Sequence, residues 1–199
     1  MEPPTTKFIQ DALTDACDLQ HPATTVVLAR RLLEVDPEDG ITWLCLGYAL
    51  GWLANYDEAE VAFQNALKNS RESIHYVVYD DMGHACRQRG DYEGAARCYR
   101  MAIGLKPDEA ASYIFLGRVL REQGKLAEAE DVNRSATMCS EGPIDEAHYS
   151  LGYALRCQGR LAEACKCFEK AIELDPKYDV AKEALADVRA AIDYQKSFE

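Results

Sequence analysis

A glycine returns along this chain at Gly47, Gly83, Gly117 and Gly152, at intervals of 36, 34 and 35 residues, and each copy is followed by the same kinds of residue. Gly83 precedes Gly90, Ala95, Tyr99, Ala102 and Pro107; Gly152 precedes Gly159, Ala164, Phe168, Ala171 and Pro176 at identical offsets. Gly47 is followed in the same register by Ala54, Ala59, Phe63 and Ala66, and Gly117 by Gly124, Ala129 and Ala136. A period of this length marks stacked supersecondary units, each too small to bury its own apolar face and covered by its neighbours.

The residue types state what each unit must be. A glycine without a β-carbon lets a second helix approach the first closely, and Gly90, Gly124 and Gly159 end the first helix by taking a positive φ. Alanines keep the helix pair tight, while Tyr99 and Phe168 fill the gap to the next unit. Pro107 and Pro176 stop the second helix, because the residue before a proline avoids helical geometry. The pattern of an aromatic, then Leu-Gly or Met-Gly, then small and aromatic residues and a closing proline resembles the tetratricopeptide repeat, a helix–turn–helix unit.

The register places a degenerate first repeat at 6–39, with Leu13 where the glycine would stand, then repeats at 40–73, 76–109, 110–143 and 145–178. A capping helix follows at 179–195, with Ala181, Ala184, Leu185, Val188 and Ile192 on one stripe. The expected fold is therefore all-α: five hairpins plus a cap, about eleven helices in a right-handed α-solenoid without strands. Two departures stand out. Ile74 and His75 are extra residues between the second and third repeats, predicting a longer helix or a bulged loop. Asn133 replaces the large aromatic of the other units, so it either finds a hydrogen-bond partner or weakens its junction into a hinge.

Composition limits the partners. The chain has 199 residues and a formal net charge of −12, which repels phosphate backbones and anionic lipid. Nucleic-acid and membrane binding are therefore not expected. Met1 to Thr6 lacks the charge and apolar run of a leader, and no stretch is long enough to cross a bilayer, so the reading is a cytoplasmic chain. The eight cysteines include no CxxC pair and read as reduced packing residues, with no metal or other cofactor expected.

The resemblance implies a protein–protein interaction scaffold or adaptor that grips a peptide or partner segment in a concave groove lined by the first helices. Groove-facing positions lie three residues before each leading glycine and one, four and five after it. They yield Leu44, Tyr48 and Trp52; Asp80, His84, Arg87 and Gln88; Ile114, Arg118, Arg121 and Glu122; and Tyr149, Tyr153, Arg156 and Cys157. Arg87, Arg121 and Arg156 share one offset and would align as a basic stripe beside aromatics, which fits an acidic segment with apolar or aromatic anchors. Two blander readings stand beside this one: arginines that complement helix dipoles, and aromatics partly buried between hairpins. The positions that clamp chaperone carboxyl termini in some members hold Leu44, Tyr48, Asp81, Ala111 and Phe115 here, so that subtype does not fit.

Asp80 and His84 are four residues apart on one helical face, and Cys86 is near. Two ligands make no metal site, and no phosphate loop, nucleophile elbow or HExxH motif is present, so an enzyme is not expected. Three roles remain open: a peptide-binding scaffold, a self-associating assembly subunit that forms homo-oligomers, and an accessory or immunity-type protein docking on a folded enzyme.

Overall fold

The computed structural model describes residues 6–18 and 20–198, and the leader reading of residues 1–5 lies outside them. The described residues are helical hairpins with no β-strand, which is the all-α class the repeat implies. The chain forms two compact units, 1–105 and 106–199.

Unit 1 holds three hairpins: α1 (Thr6–Asp18) with α2 (Pro22–Val35), α3 (Gly40–Trp52) with α4 (Tyr56–Asn69), and α5 (His75–Arg89) with α6 (Tyr92–Leu105). Successive hairpins stack through α2 on α3 and through α5 on both α3 and α4. Asp39 caps α3, its carboxylate accepting from the backbone N–H groups of Ile41 (3.1 Å) and Thr42 (3.3 Å) and from the Thr42 hydroxyl (2.6 Å). The Trp43 indole donates to the Pro37 carbonyl at 2.8 Å and so ties α3 to the preceding loop. The extra residues before the third hairpin become a bulged loop, a 3₁₀ turn over Glu72–Ile74 that runs into α5.

Unit 2 holds α7 (Ala110–Glu122) with α8 (Leu126–Ala136), α9 (Ile144–Cys157) with α10 (Leu161–Leu174), and the cap α11 (Asp179–Lys196) packed on α10. The cap buries Ala181, Ala184, Leu185 and Val188, as its stripe requires. The fourth repeat lacks a closing proline, and α8 ends early. Its outgoing loop is pinned by a bridge in which Glu141 N–H donates to the Asp108 carbonyl (3.1 Å) and Ala110 N–H to the Glu141 carbonyl (3.0 Å). At the next junction Glu130 accepts from Arg134 (2.7 Å), Arg160 (2.6 Å) and Gln158 (3.0 Å), joining α8 to the start of α10.

Inside the hairpins the pairing of glycine with a large partner is literal. A β-carbon on Gly47 would lie 2.7 Å from the Phe63 ring, one on Gly83 2.5 Å from Tyr99, and one on Gly152 2.7 Å from Phe168. These three rings are at most 1% exposed. In the first hairpin the sizes are exchanged: Leu13 stands for the glycine, and Ala29, at the aromatic position, is fully buried in the same core. In the fourth, the Asn133 amide lies against Gly117 and donates to the Ser150 carbonyl of α9 at 3.2 Å. Asn133 is thus bonded to the next hairpin, the first of its two expected readings.

The turn seven residues after each leading position is equally regular. Gln20, Ala54, Gly90, Gly124 and Gly159 all have positive φ, between 53° and 88°. The hairpin imposes the left-handed conformation whether or not the residue is glycine. At Ala54 the β-carbon makes that conformation cost about 1 kcal/mol. Ala54→Gly should therefore raise the unfolding free energy read from urea titration by about 0.5 kcal/mol after glycine's extra unfolded-state freedom is counted. Gly90→Ala should lower it by about 1 kcal/mol. Shifts of opposite sign from one conformational cause are the result to look for.

Candidate functional site

The face built by the first helices of unit 2 is the most developed polar and aromatic surface of the predicted set. α7 supplies Arg118 and Arg121, one helical turn apart, and α9 packs beside it with Tyr149, Tyr153 and Arg156. The Arg121 guanidinium lies 4.2 Å from the centre of the Tyr153 ring and that of Arg156 4.5 Å from it, so one phenol ring orients two cations. Arg156 also donates to Asp187 of α11 at 3.1 Å, and Arg118 to Glu146 at 3.4 Å. Both carboxylates are accessible, Asp187 to 71% and Glu146 to 34%, so these are solvent-screened pairs that an incoming acid can replace at small cost. Arg121 has no carboxylate within ion-pair distance among the described residues, and the Tyr153 ring is its orienting contact.

Beside these cations lies an aromatic cluster. Tyr149 sits 6.2 Å from Tyr153, 5.6 Å from the buried Phe168 and 5.4 Å from Tyr178, centre to centre. Burial, then the charges of Glu146 and Tyr149, pushes the Tyr178 hydroxyl up to about 12, and burial followed by the neighbouring Tyr153 raises Tyr149. Both phenols stay protonated at neutral pH and can donate hydrogen bonds. The face therefore offers oriented guanidinium groups, neutral hydroxyl donors and apolar ring surface within one helix triplet.

The predicted residues of unit 1 form a different surface. On α3, Tyr48 and Trp52 meet edge to face at 6.2 Å, and Trp52 is 55% exposed. They border a small cavity of about 120 Å³ shared with Cys17, His21, Pro22 and Thr25. On α5, His84 Nδ1 pairs with the Tyr99 hydroxyl at 3.0 Å, and the two rings meet edge to face. That contact gives His84 a structural partner in its own hairpin. Arg87 is partly buried on the same helix, in unit 1, whereas Arg121 and Arg156 are in unit 2.

Two predicted groove residues are corrected. Ile114 is 1% exposed and packs with Ala110, Ala136 and Ala147, so it is a core residue. Asp80 is 8% exposed and offers no open surface to a ligand. Both stand three residues before their leading glycine, an offset at which Leu44 and Tyr149 also pack against buried core residues, so this position leans toward the core of its hairpin. Conversely, Glu146, Tyr178 and Asp187 were missed. Ala186 lies 34 residues after Gly152, so extending the repeat register into the cap would have placed Asp187 at the offset of Arg118 and Tyr153.

Asp81, largely buried on α5, has its carboxyl pushed up to about 7, first by burial and then by the charge of Asp80. No described cation pairs with it.

Models of the tetratricopeptide repeat match residues 81–143 and 145–178. Similar curated proteins include the human protein O-mannosyl-transferase TMTC2, 34% identical over 109 residues, covering 53% of this chain and 13% of that protein. Another is the small glutamine-rich tetratricopeptide repeat-containing protein 2 of Mycosarcoma maydis, 29% identical over 104 residues, covering 52% of this chain and 29% of that one. The chain thus spans less than a third of either relative. Among solved structures, TTC0263, a thermophilic TPR protein of Thermus thermophilus, aligns with a TM-score of 0.70 at 19% identity, covering 94% of this chain and 100% of that one. YrrB, described as a TPR protein with an unusual peptide-binding site, aligns with a TM-score of 0.61 at 18% identity over 88% of this chain and 89% of its own. Residues 81–143 and 145–178 are tetratricopeptide repeats, a helical repeat that generally mediates protein–protein interactions. No helix among the described residues is long and apolar enough to cross a membrane.

The sign of the Asp81 effect follows from its raised value. The folded chain keeps this proton up to about pH 7, whereas an unfolded aspartate releases it near pH 3.9, at about the usual carboxylate value. The folded state binds the extra proton between those limits, so stability falls as pH rises from about 4 to 7. Asp81→Asn should flatten that slope and stabilise unit 1 at pH 8 by on the order of 2 kcal/mol, with little change at pH 4. Urea unfolding of both proteins across pH 4 to 8 measures it.

Proposed function

We propose that this chain is an interaction scaffold whose second unit binds an acidic protein segment carrying aromatic or apolar anchors, on the face formed by Arg118, Arg121, Tyr149, Tyr153, Arg156 and Tyr178. The observation that carries this reading is Arg121: a cation stacked on Tyr153, without a carboxylate partner, between two arginines whose own partners are accessible acids. A helix-dipole role explains a basic residue in the last turn, but it does not explain why two arginines from different hairpins converge on one tyrosine ring. The aromatic cluster gives ring surface for the ligand's anchors, and the neutral hydroxyls of Tyr149 and Tyr178 supply donors for its backbone or carboxylates. The solved neighbour YrrB, itself described by its peptide-binding site, supports peptide capture on this architecture.

A displayed random-peptide library selected on the full chain tests the proposal. Selected sequences should be enriched in Asp and Glu next to Trp, Tyr, Phe or Leu, and their affinity should fall with salt. Arg121→Glu should weaken the selected peptides about tenfold or more, because it removes a charged contact and introduces repulsion. Tyr153→Leu should cost about threefold by releasing both guanidiniums from the ring. Selected peptides without acidic bias, or undiminished affinity of Arg121→Glu, would overturn the assignment.

A further inference from the structure

Two of the cysteines stand in a setting that the packing role does not account for. Cys86 on α5 and Cys98 on α6 belong to the two paired helices of one hairpin, and each is the first influence on the other's thiol. Both line one cavity of about 180 Å³ in unit 1, together with Tyr56, Met82, Asp91 and Arg97. Both are only partly buried, so a small reagent can reach them. We propose that Cys86 and Cys98 are a peroxide-reactive dithiol, with Cys86 as the attacking sulfur and Cys98 as the resolving one, closing a disulfide that ties α5 to α6.

The division of labour follows from the surroundings. Cys98 is the main influence on Cys86 and lowers it, with Arg97 acting in the same direction against burial and the charges of Asp91 and Glu60. Cys98 is raised, first by Cys86 and then by burial. The thiolate that forms first is therefore on Cys86, beside a thiol poised to follow it. The other close pair, Cys17 with Cys45, differs: burial first and Cys17 second push Cys45 up to about 12, and the raising charges of Asp39 and Asp81 lie nearby. Cys165 and Cys167 are two residues apart on α10, where side chains diverge, and Cys157 is exposed.

The chemistry balances with a hydroperoxide as the oxidant. The Cys86 thiolate attacks the terminal oxygen of ROOH, the O–O bond breaks, and the alkoxide leaves as ROH after taking a proton from solvent, with a sulfenic acid left on Cys86. The Cys98 sulfur then attacks the Cys86 sulfur, the S–O bond breaks, and hydroxide leaves with the Cys98 proton as water. Two thiols are oxidised by two electrons, and one peroxide is reduced to an alcohol and water. Because α5 also carries His84 and Arg87, the cross-link fixes the helix that presents them to its own hairpin partner.

Sub-stoichiometric hydrogen peroxide applied to the reduced full chain, followed by alkylation and peptide mass mapping, tests this. The expected product is a linked Cys86–Cys98 peptide pair whose mass is lower by two hydrogens, with Cys86 consumed about tenfold faster than the exposed Cys157. Cys98→Ser should instead trap a dimedone-reactive sulfenic acid on Cys86, while Cys86→Ser should leave Cys98 unoxidised; circular dichroism confirms that each variant keeps its helices. Oxidation of Cys86 no faster than Cys157, or a dominant disulfide between other cysteines, would overturn the proposal, and the wild-type comparison does so without any variant. None of these outcomes bears on peptide binding by unit 2.

Discussion

Four of the five hairpins depend on one close contact, a second-helix side chain lying directly on the backbone of the first helix where a β-carbon is missing. Phe63, Tyr99 and Phe168 each fill that place against Gly47, Gly83 and Gly152, and each is buried to the last few square ångströms. The contact sets the distance between the paired helices, and that distance fixes where the outward side chains of the first helix stand. The two exceptions fill that place in different ways. Leu13 and Ala29 exchange large for small, and Asn133 trades ring area for a hydrogen bond to the next hairpin. An amide there fastens α8 to α9, and through α9 it helps hold Tyr149 and Tyr153 in position.

This dependence explains which parts of the molecule were legible in the sequence. Helix boundaries, turns and the cap follow from residues whose types are dictated by backbone geometry: glycine or a tolerated substitute at positive φ, proline after the second helix, alanine between paired helices. The sequence register therefore located α2 at Pro22–Val35 and the start of α11 at Asp179. Ala54 and Gln20 show the limit of reading residue types alone, since neither announces a left-handed turn and both adopt one because the hairpin demands it. The candidate site was legible only in part. The offsets found Arg118, Arg121, Tyr149, Tyr153 and Arg156, but assigned Ile114 and Asp80 to an open surface that the local packing closes. They also stopped at the last hairpin, and so missed Tyr178 and Asp187, which complete the arrangement from the loop before the cap and from the cap itself.

Net charge proved a poor guide to local charge. The chain carries twelve excess negative charges, yet the first-helix face of unit 2 gathers three arginines. Acids do reach this face, as Glu146 and Asp187, and they compensate two of the three cations through accessible pairs. Such pairs keep the arginines from repelling one another without contributing much to stability, and they are easily exchanged for the carboxylates of a ligand. In unit 1 the opposite situation holds at Asp81, where burial acts first and the neighbouring charge is another carboxylate. The consequence there is a proton retained near neutrality, which spares the hairpin from burying two adjacent negative charges.

The role of Tyr153 follows from the cost of ordering long side chains. An arginine fixed on binding gives up rotamer freedom worth about 1–2 kcal/mol, which subtracts from affinity unless that freedom is already restricted in the free protein. Stacking on Tyr153 restricts Arg121 from one hairpin and Arg156 from the next, so the loss is borne by the folded scaffold before any ligand arrives. The ring can do this only because Tyr149 braces it from one turn away and is itself set against Phe168. Phe168 is held in turn by the bare backbone of Gly152. The chain of contacts runs without a break from a missing β-carbon in the hairpin core to the orientation of a guanidinium on its surface, which is why the residue that makes the fold possible also conditions what the surface can bind.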